Sequence, residues 1–194
     1  MNKQIGLFGG TFNPPHIGHL LIAQEALTQL HLDEVWWMPS STPPHKQKDN
    51  EVSDDQRIEM VQKAIGNNEQ FSLSLLEFER SGPSYTIDTV RLLKEKYPQV
   101  AFTFIMGGDM VHSLSSWHKI DELKDLVEFA GVGRAGYAVD HHWERYRVKH
   151  VEVPIIEISS SFIRNQSSVG QNIRYYVLDE VWNYIKENHL YGTN

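Results

Sequence analysis

Strand-like and helix-like segments alternate along the chain, and two of the strands end in glycine pairs. Together these predict an α/β fold, a Rossmann-like doubly wound parallel sheet with flanking helices. Early strands are expected at about 4–8, 34–39 and 71–78. The first helix runs from about Ile17 to Leu30, with Leu20, Ala23, Leu27 and Leu30 at helical spacing. Ser53-Asp54-Asp55-Gln56 has the form of a capping box, opening a helix with Ile58, Val61 and Ile65 as its core face, and Gly66-Asn67-Asn68 closes it. Ser84 is expected to cap a third helix that turns Val90, Leu93 and Tyr97 inward and stops at Pro98. Ala101 to Met106 is a buried strand that delivers Gly107-Gly108-Asp109. A short helix follows near Asp121–Leu126, then strands near Val127–Val132 and Lys149–Val153. The closing helix starts at about Asp179, with Leu178, Val181, Trp182 and Ile185 at i, i+3, i+4 and i+7. Segments 40–52 and 135–148 are the expected long loops.

Composition narrows the function classes. The 194 residues suit a single domain over 1–194, 40% of them hydrophobic and 22% charged, as in an ordinary globule. No apolar stretch approaches the ~20 residues of a membrane span. The start, Met1-Asn2-Lys3-Gln4, lacks the apolar core of a signal peptide, so a cytoplasmic location is expected. The absence of cysteine excludes disulfides, thiolate metal sites and a cysteine nucleophile. A formal net charge of −7 argues against a surface that wraps nucleic acid, while leaving room for small anionic ligands.

The segment Gly9-Gly10-Thr11-Phe12-Asn13-Pro14-Pro15-His16-Ile17-Gly18-His19 carries the chemistry. Its glycines fall at the carboxyl end of a strand, where a ligand can approach backbone, and its histidines fall around the first turn of a helix. Gly18 removes a side chain from the helix mouth. Spacing i, i+3 puts both imidazoles on nearly one face, beside amides with no partner inside the helix, which suits a phosphate. Zinc helices of the H-E-x-x-H type space their ligands i, i+4, so no metal site is expected here. The chain also lacks G-x-G-x-x-G and the P-loop pattern. In a doubly wound sheet the ligand lies where strand order reverses, so Gly9-Gly10 and Gly107-Gly108-Asp109 should face one crevice. There Asp109 either accepts hydrogen bonds from ribose hydroxyls or caps the helix that follows.

Together with Ile158-Ser159-Ser160-Ser161-Phe162-Ile163-Arg164, the opening segment resembles the paired signatures of the nucleotidylyltransferase superfamily. Pro43-Pro44-His45-Lys46, Gly82-Pro83-Ser84-Tyr85-Thr86, Gly107-Gly108-Asp109-Met110, Trp117 and Leu190-Tyr191 are similar to stretches of the bacterial nicotinate mononucleotide adenylyltransferases. Two departures stand out: Ser161 replaces the usual threonine, and His189 replaces the usual glycine before Leu-Tyr.

The resemblance implies transfer of AMP from ATP to nicotinate mononucleotide, giving deamido-NAD and pyrophosphate, with Mg2+ accompanying ATP. It implies that His16, His19 and Arg164 are catalytic. ATP would also meet Gly9, Gly10, Thr11, Phe12, Gly18, Gly107, Asp109, Ser159, Ser160 and Ser161. For the mononucleotide it implies Trp117 against the pyridine ring and Tyr85-Thr86 backbone near the carboxylate; Lys46, and Arg134 at the end of the expected strand Val127–Val132, are the candidates for its phosphate. Core packing is the competing reading for Trp117, and a solvated loop lysine for Lys46. A sibling transferase with another acceptor, of the phosphopantetheine type, would share the two phosphate motifs but not Ser84-Tyr85-Thr86 and Trp117. A non-catalytic nucleotide-binding module is the other alternative. Self-association is left open.

Overall fold

The computed structural model describes residues 2–41, 52–79, 85–134, 141–154 and 156–193. Six parallel strands form one sheet: β1 (Gln4–Gly10), β2 (Glu34–Pro39), β3 (Phe71–Leu73), β4 (Ala101–Gly107), β5 (Glu128–Arg134) and β6 (Lys149–Val153). Their order is β3-β2-β1-β4-β5-β6, so strand order reverses between β1 and β4. The helices are α1 (Ile17–Gln29), α2 (Asp54–Ile65), α3 (Thr86–Lys96), α4 (Gly108–Ser113), α5 (Ile120–Leu126), α6 (His141–Arg145), α7 (Ser160–Ser168) and α8 (Asp179–Glu187). Among the described residues no helix is long and apolar enough to cross a membrane.

Strand periodicity divides the core into layers. Ile5 and Leu7 of β1 join Phe102, Phe104 and Met106 of β4 on one face, where Val90 and Leu93 of α3 and Leu123 of α5 cover them. Phe8, Val35, Trp37, Ile105 and Ala130 point to the other face, beneath Ala23, Ala26 and Leu27 of α1 and Val61 of α2. Both faces are covered, as parallel strands require. A third cluster joins Met60 and Ala64 of α2 to Ile163 of α7, Val181 and Ile185 of α8, and Leu190 and Tyr191 of the tail.

Several expectations need correction. The third strand ends at Leu73, because after the Ser74 amide bonds to Trp37 the chain turns, with the Phe78 amide on the Leu75 carbonyl. The apolar run 71–78 does not distinguish a strand from a strand followed by a turn. The buried face of α2 is Arg57, Met60, Val61 and Ala64, while Ile58 and Ile65 are only half-buried, because the helix lies between the sheet and the C-terminal layer. The N-cap of α3 is Tyr85; Ser84 lies outside the described residues. Two short helices, α4 and α6, add to the expected elements, the second inside the expected loop 135–148. Five residues are too few to show a helical period, and α6 is held by docking Trp143 over Gly131, where a Cβ would collide with the indole.

Candidate active site

A cleft of about 380 Å³ crosses the carboxyl ends of the strands at the reversal point. His16, Gly18 and Ile22 line it after β1, Gly107 and Gly108 after β4, and Val132 and Gly133 at the end of β5. Val153, Pro154, Ile156 and Ile158 complete the wall. None of these described lining residues carries a carboxylate, so none of them repels a polyanion.

His16 is the N-cap of α1, with extended backbone, and the first turn of that helix holds no acidic residue. The positive end of the helix therefore faces the cleft uncompensated. The two imidazoles stack with centroids 3.7 Å apart. The His16 amide donates to His19 Nδ1 at 3.1 Å, and a neutral imidazole that accepts there carries its proton on Nε2. The Phe12 ring, buried, meets His19 edge-on at 5.0 Å, with Phe8 and Trp37 behind it. Phe12, expected at the ATP site, is buried and does not line the cleft, and its side chain buttresses His19.

Gly18 has a sharper reason than an open helix mouth. A Cβ there would lie 3.0 Å from His16 Nδ1 and 3.1 Å from Cε1, so the imidazole occupies the space that glycine leaves. At Gly10 the vacated space is likewise taken by the protein, since a Cβ would meet the Phe12 ring at 2.9 Å.

The turn between β1 and α1 passes through a cis Asn13–Pro14 peptide and is held from three other elements. Ser160 Oγ donates to the Pro14 carbonyl and Arg164 Nη1 to the Asn13 carbonyl, each at 2.8 Å. Arg57 Nη1 donates to the Thr11 carbonyl at 2.8 Å. The Tyr191 hydroxyl donates to Asn13 Oδ1. The two sequence signatures, some 146 residues apart at Pro14 and Ser160, are thus joined directly. In this state the Ser160 hydroxyl proton is committed to the turn. Ser159 is the N-cap of α7, its Oγ accepting the Phe162 amide at 3.1 Å, and Arg164 Nη2 reaches Ser161 Oγ at 3.4 Å.

Trp117 is half-buried, edge-on to Phe104 at 5.5 Å, with Nε1 donating to Ser113 Oγ at 3.4 Å. It therefore has both a packing role and an accessible part. Phe104 continues the aromatic floor to Gly9, where a Cβ would lie 3.2 Å from its Cζ. The Tyr85 ring stacks on His118 at 4.6 Å, bringing the start of α3 to this aromatic group, with Thr86 as its first helical residue. Asp109 belongs to the first turn of α4 and Arg134 ends β5. Lys46 lies outside the described residues. Sequence reasoning missed Arg57, and it gave Asn13 and Tyr191, though both stand in the quoted motifs, no role of their own. The available signal was a charged residue amid the apolar face of α2.

Burial pushes the His16 imidazole down from 6.5 to about 4. Between those pH values the unfolded chain takes up a proton that folded His16 refuses, so stability rises with pH across the window and levels off above it. The loss on acidification is on the order of 3 kcal/mol. Urea unfolding of wild type and His16→Asn should therefore diverge as pH falls from 6.5 to about 4, with the wild type losing more. Parallel curves would show that His16 titrates normally.

Among the described residues, no group of three or more His, Cys, Asp or Glu side chains converges to hold a metal ion. Residues 7–166 match the family model described as cytidylyltransferase-like. The chain is 50% identical to the probable nicotinate-nucleotide adenylyltransferase of Bacillus licheniformis, over 98% of this chain and 100% of that one. It is 47% identical to the nicotinate-nucleotide adenylyltransferase of Bacillus subtilis, over 98% and 100% of the two chains. The Plasmodium falciparum nicotinic acid mononucleotide adenylyltransferase complexed with NaAD superposes with a TM-score of 0.82 at 22% identity, covering 99% and 98% of the two chains, and shares the fold. A glycine-ended β1, a histidine-capped α1 and a serine-capped α7 bound to the same turn are thus features of a chain that belongs to the cytidylyltransferase-like family, among the nicotinate-nucleotide adenylyltransferases.

Proposed function

We propose that this chain transfers AMP from ATP to nicotinate mononucleotide, giving deamido-NAD and pyrophosphate, a step of NAD biosynthesis. The observation that carries the reading is the pinning of two helix N-termini, α1 and α7, to one turn beside the stacked His16 and His19. A 5′-phosphate oxygen of the mononucleotide attacks the α-phosphorus of ATP. The new O–P bond forms as the bond to the β-phosphate bridge oxygen breaks, and pyrophosphate leaves with that electron pair. No covalent intermediate with the protein is required, so catalysis is positioning and charge stabilisation.

His19 Nε2–H, His16 and the first amides of α1 donate to the phosphate oxygens, with Arg164 and the first amides of α7 facing the leaving pyrophosphate. Asp109, after β4, holds the ribose, and the cleft wall from Gly107 to Ile158 takes the nucleoside. Mg2+ would enter with ATP as part of the substrate, supplying positive charge that offsets the triphosphate without calling on a dedicated set of protein ligands. Burial keeps His16 neutral in the free protein, so its contribution at the outset is an N–H donor rather than a full charge.

Trp117 stacks on the pyridine ring, and the Thr86 amide, at the N-terminus of α3, holds the carboxylate. Lys46 and Arg134 hold the mononucleotide phosphate. A negative carboxylate gains from that helix end, and a neutral carboxamide does not. Pyrophosphate release assayed across a panel of phosphate acceptors should single out nicotinate mononucleotide. Its kcat/KM should exceed that of the amide mononucleotide by roughly tenfold or more, about 1.4 kcal/mol. Equal values would remove the specificity, and preference for a phosphopantetheine acceptor would replace the reading.

A further inference from the structure

Arg57 occupies a core-facing position of α2 and is 3% exposed, yet it does not line the cleft. Its guanidinium spreads over three acceptors. Nη1 donates to the Thr11 carbonyl at 2.8 Å, while Nη2 donates to the Ser40 carbonyl and to Asp54 Oδ1, each at 2.7 Å. The Phe78 ring lies 5.9 Å from its Cζ. Thr11 opens the turn that leads to His16, and Ser40 directly follows the carboxyl end of β2. The Ser40 amide in turn donates to the Gly10 carbonyl at 2.9 Å. The ends of β1 and β2 are therefore joined twice, once by a backbone bond and once by the guanidinium fork.

Stability alone does not account for a buried charge at this position. Taking a guanidinium out of water is costly, and an apolar residue of similar volume often serves a core as well or better. Met60, Val61 and Ala64 already seat α2 against its neighbours. What the guanidinium supplies, and an apolar side chain cannot, is a planar set of donors that fixes two carbonyls of different loops relative to each other.

We propose that Arg57 is a positioning residue for adenylyl transfer: without touching substrate, it sets the Gly10–Asn13 turn against the end of β2 and thereby holds His16 and His19 in place. The proposal rests on the function given above. Lysine in its place keeps the charge but sends its donors from one nitrogen, which does not reproduce a fork built on two. Arg57→Lys should melt cooperatively and show a kcat, per folded molecule, lower on the order of 10²-fold, the scale of loss when reacting groups are misplaced by about 1 Å. KM for ATP should change only a few-fold.

A second readout does not depend on turnover. Imidazole nitrogen NMR of the wild type should show His19 protonated at Nε2 with Nδ1 accepting a hydrogen bond, and Arg57→Lys should lose that signature. Asp54→Asn, which leaves the guanidinium in place but removes its carboxylate, should move both readouts the same way by less, and serves if the lysine variant does not fold. An unchanged His19 spectrum in a folded variant overturns the proposal, as does a kcat within a few-fold of wild type. If the wild type releases no pyrophosphate from ATP and nicotinate mononucleotide, the proposed function fails instead. The spectrum then still decides whether Arg57 sets the turn.

Discussion

Replacing His19 by alanine should lower kcat by roughly 10²–10³, about 2.7–4 kcal/mol, while ATP binding weakens much less. The asymmetry follows from where the charge develops. His19 Nδ1 accepts from the His16 amide at 3.1 Å, so the neutral ring carries its proton on Nε2, the donor proposed above for the phosphate oxygens. Such a donor gains most as charge accumulates on the phosphoryl oxygens and the departing pyrophosphate. The ring is held between His16 and Phe12, at 3.7 and 5.0 Å, so little reorganisation is needed when the reaction occurs. Truncation also removes the acceptor for the His16 amide and takes the stacking partner away from the His16 imidazole. Steady-state turnover with saturating substrates, set beside calorimetric ATP binding, separates the two effects. Turnover within a few-fold of wild type would remove His19 from the mechanism.

Gly18→Val should cost turnover on the order of 10²-fold, and Gly18→Ala a smaller factor, with no loss of thermal stability in the alanine variant. A Cβ at this position meets His16 at 3.0 Å, so the imidazole must yield by a few tenths of an ångström for alanine. Valine is branched at Cβ, and its methyl groups add to the cleft wall that Gly18 now leaves open. In the helix itself the change is favourable, since alanine exceeds glycine by about 0.8–1.0 kcal/mol in an interior position and by less near an end. Activity and stability are therefore expected to move in opposite directions for alanine. Thermal melts and kcat on the same preparations test this. Full turnover in Gly18→Ala would mean that the position of His16 is not demanding.

The fold was legible wherever one element carries a strong local pattern. Strands β2 (Glu34–Pro39) and β6 (Lys149–Val153) match their expected bounds, because each ends at or just before a proline, Pro39 or Pro154, which cannot donate to a continuing ladder. The Ser53 capping box is likewise present, with the Gln56 amide on Ser53 Oγ and the Ser53 amide on Gln56 Oε1. Where burial depends on a second layer, the pattern misleads. The buried face of α2 centres on Met60 and Val61 because Val61 meets the sheet layer while Ile163, Val181 and Ile185 of the C-terminal elements approach Met60, and no local period encodes that second approach. His189 shows the converse. It stands where the resemblance leads one to expect glycine, and its φ of 50° places it in the left-handed region that glycine favours, at the turn from α8 into the tail.

Local sequence accounts for the alternation of strands and helices, the glycine-ended strands, and the histidine and serine motifs at two helix starts, because hydrophobic period, capping residues and glycine act over a few neighbouring residues. Packing of the layers was needed to establish that Ser160 and Arg164 fasten the Pro14 and Asn13 carbonyls, that Tyr191 reaches Asn13, that Arg57 bridges Thr11 and Ser40, and that Phe12 supports His19 from the core. Most of those contacts join residues far apart in the chain, so they exist only once the elements meet, and burial sets both the neutrality of His16 and the value of each hydrogen bond that holds the turn.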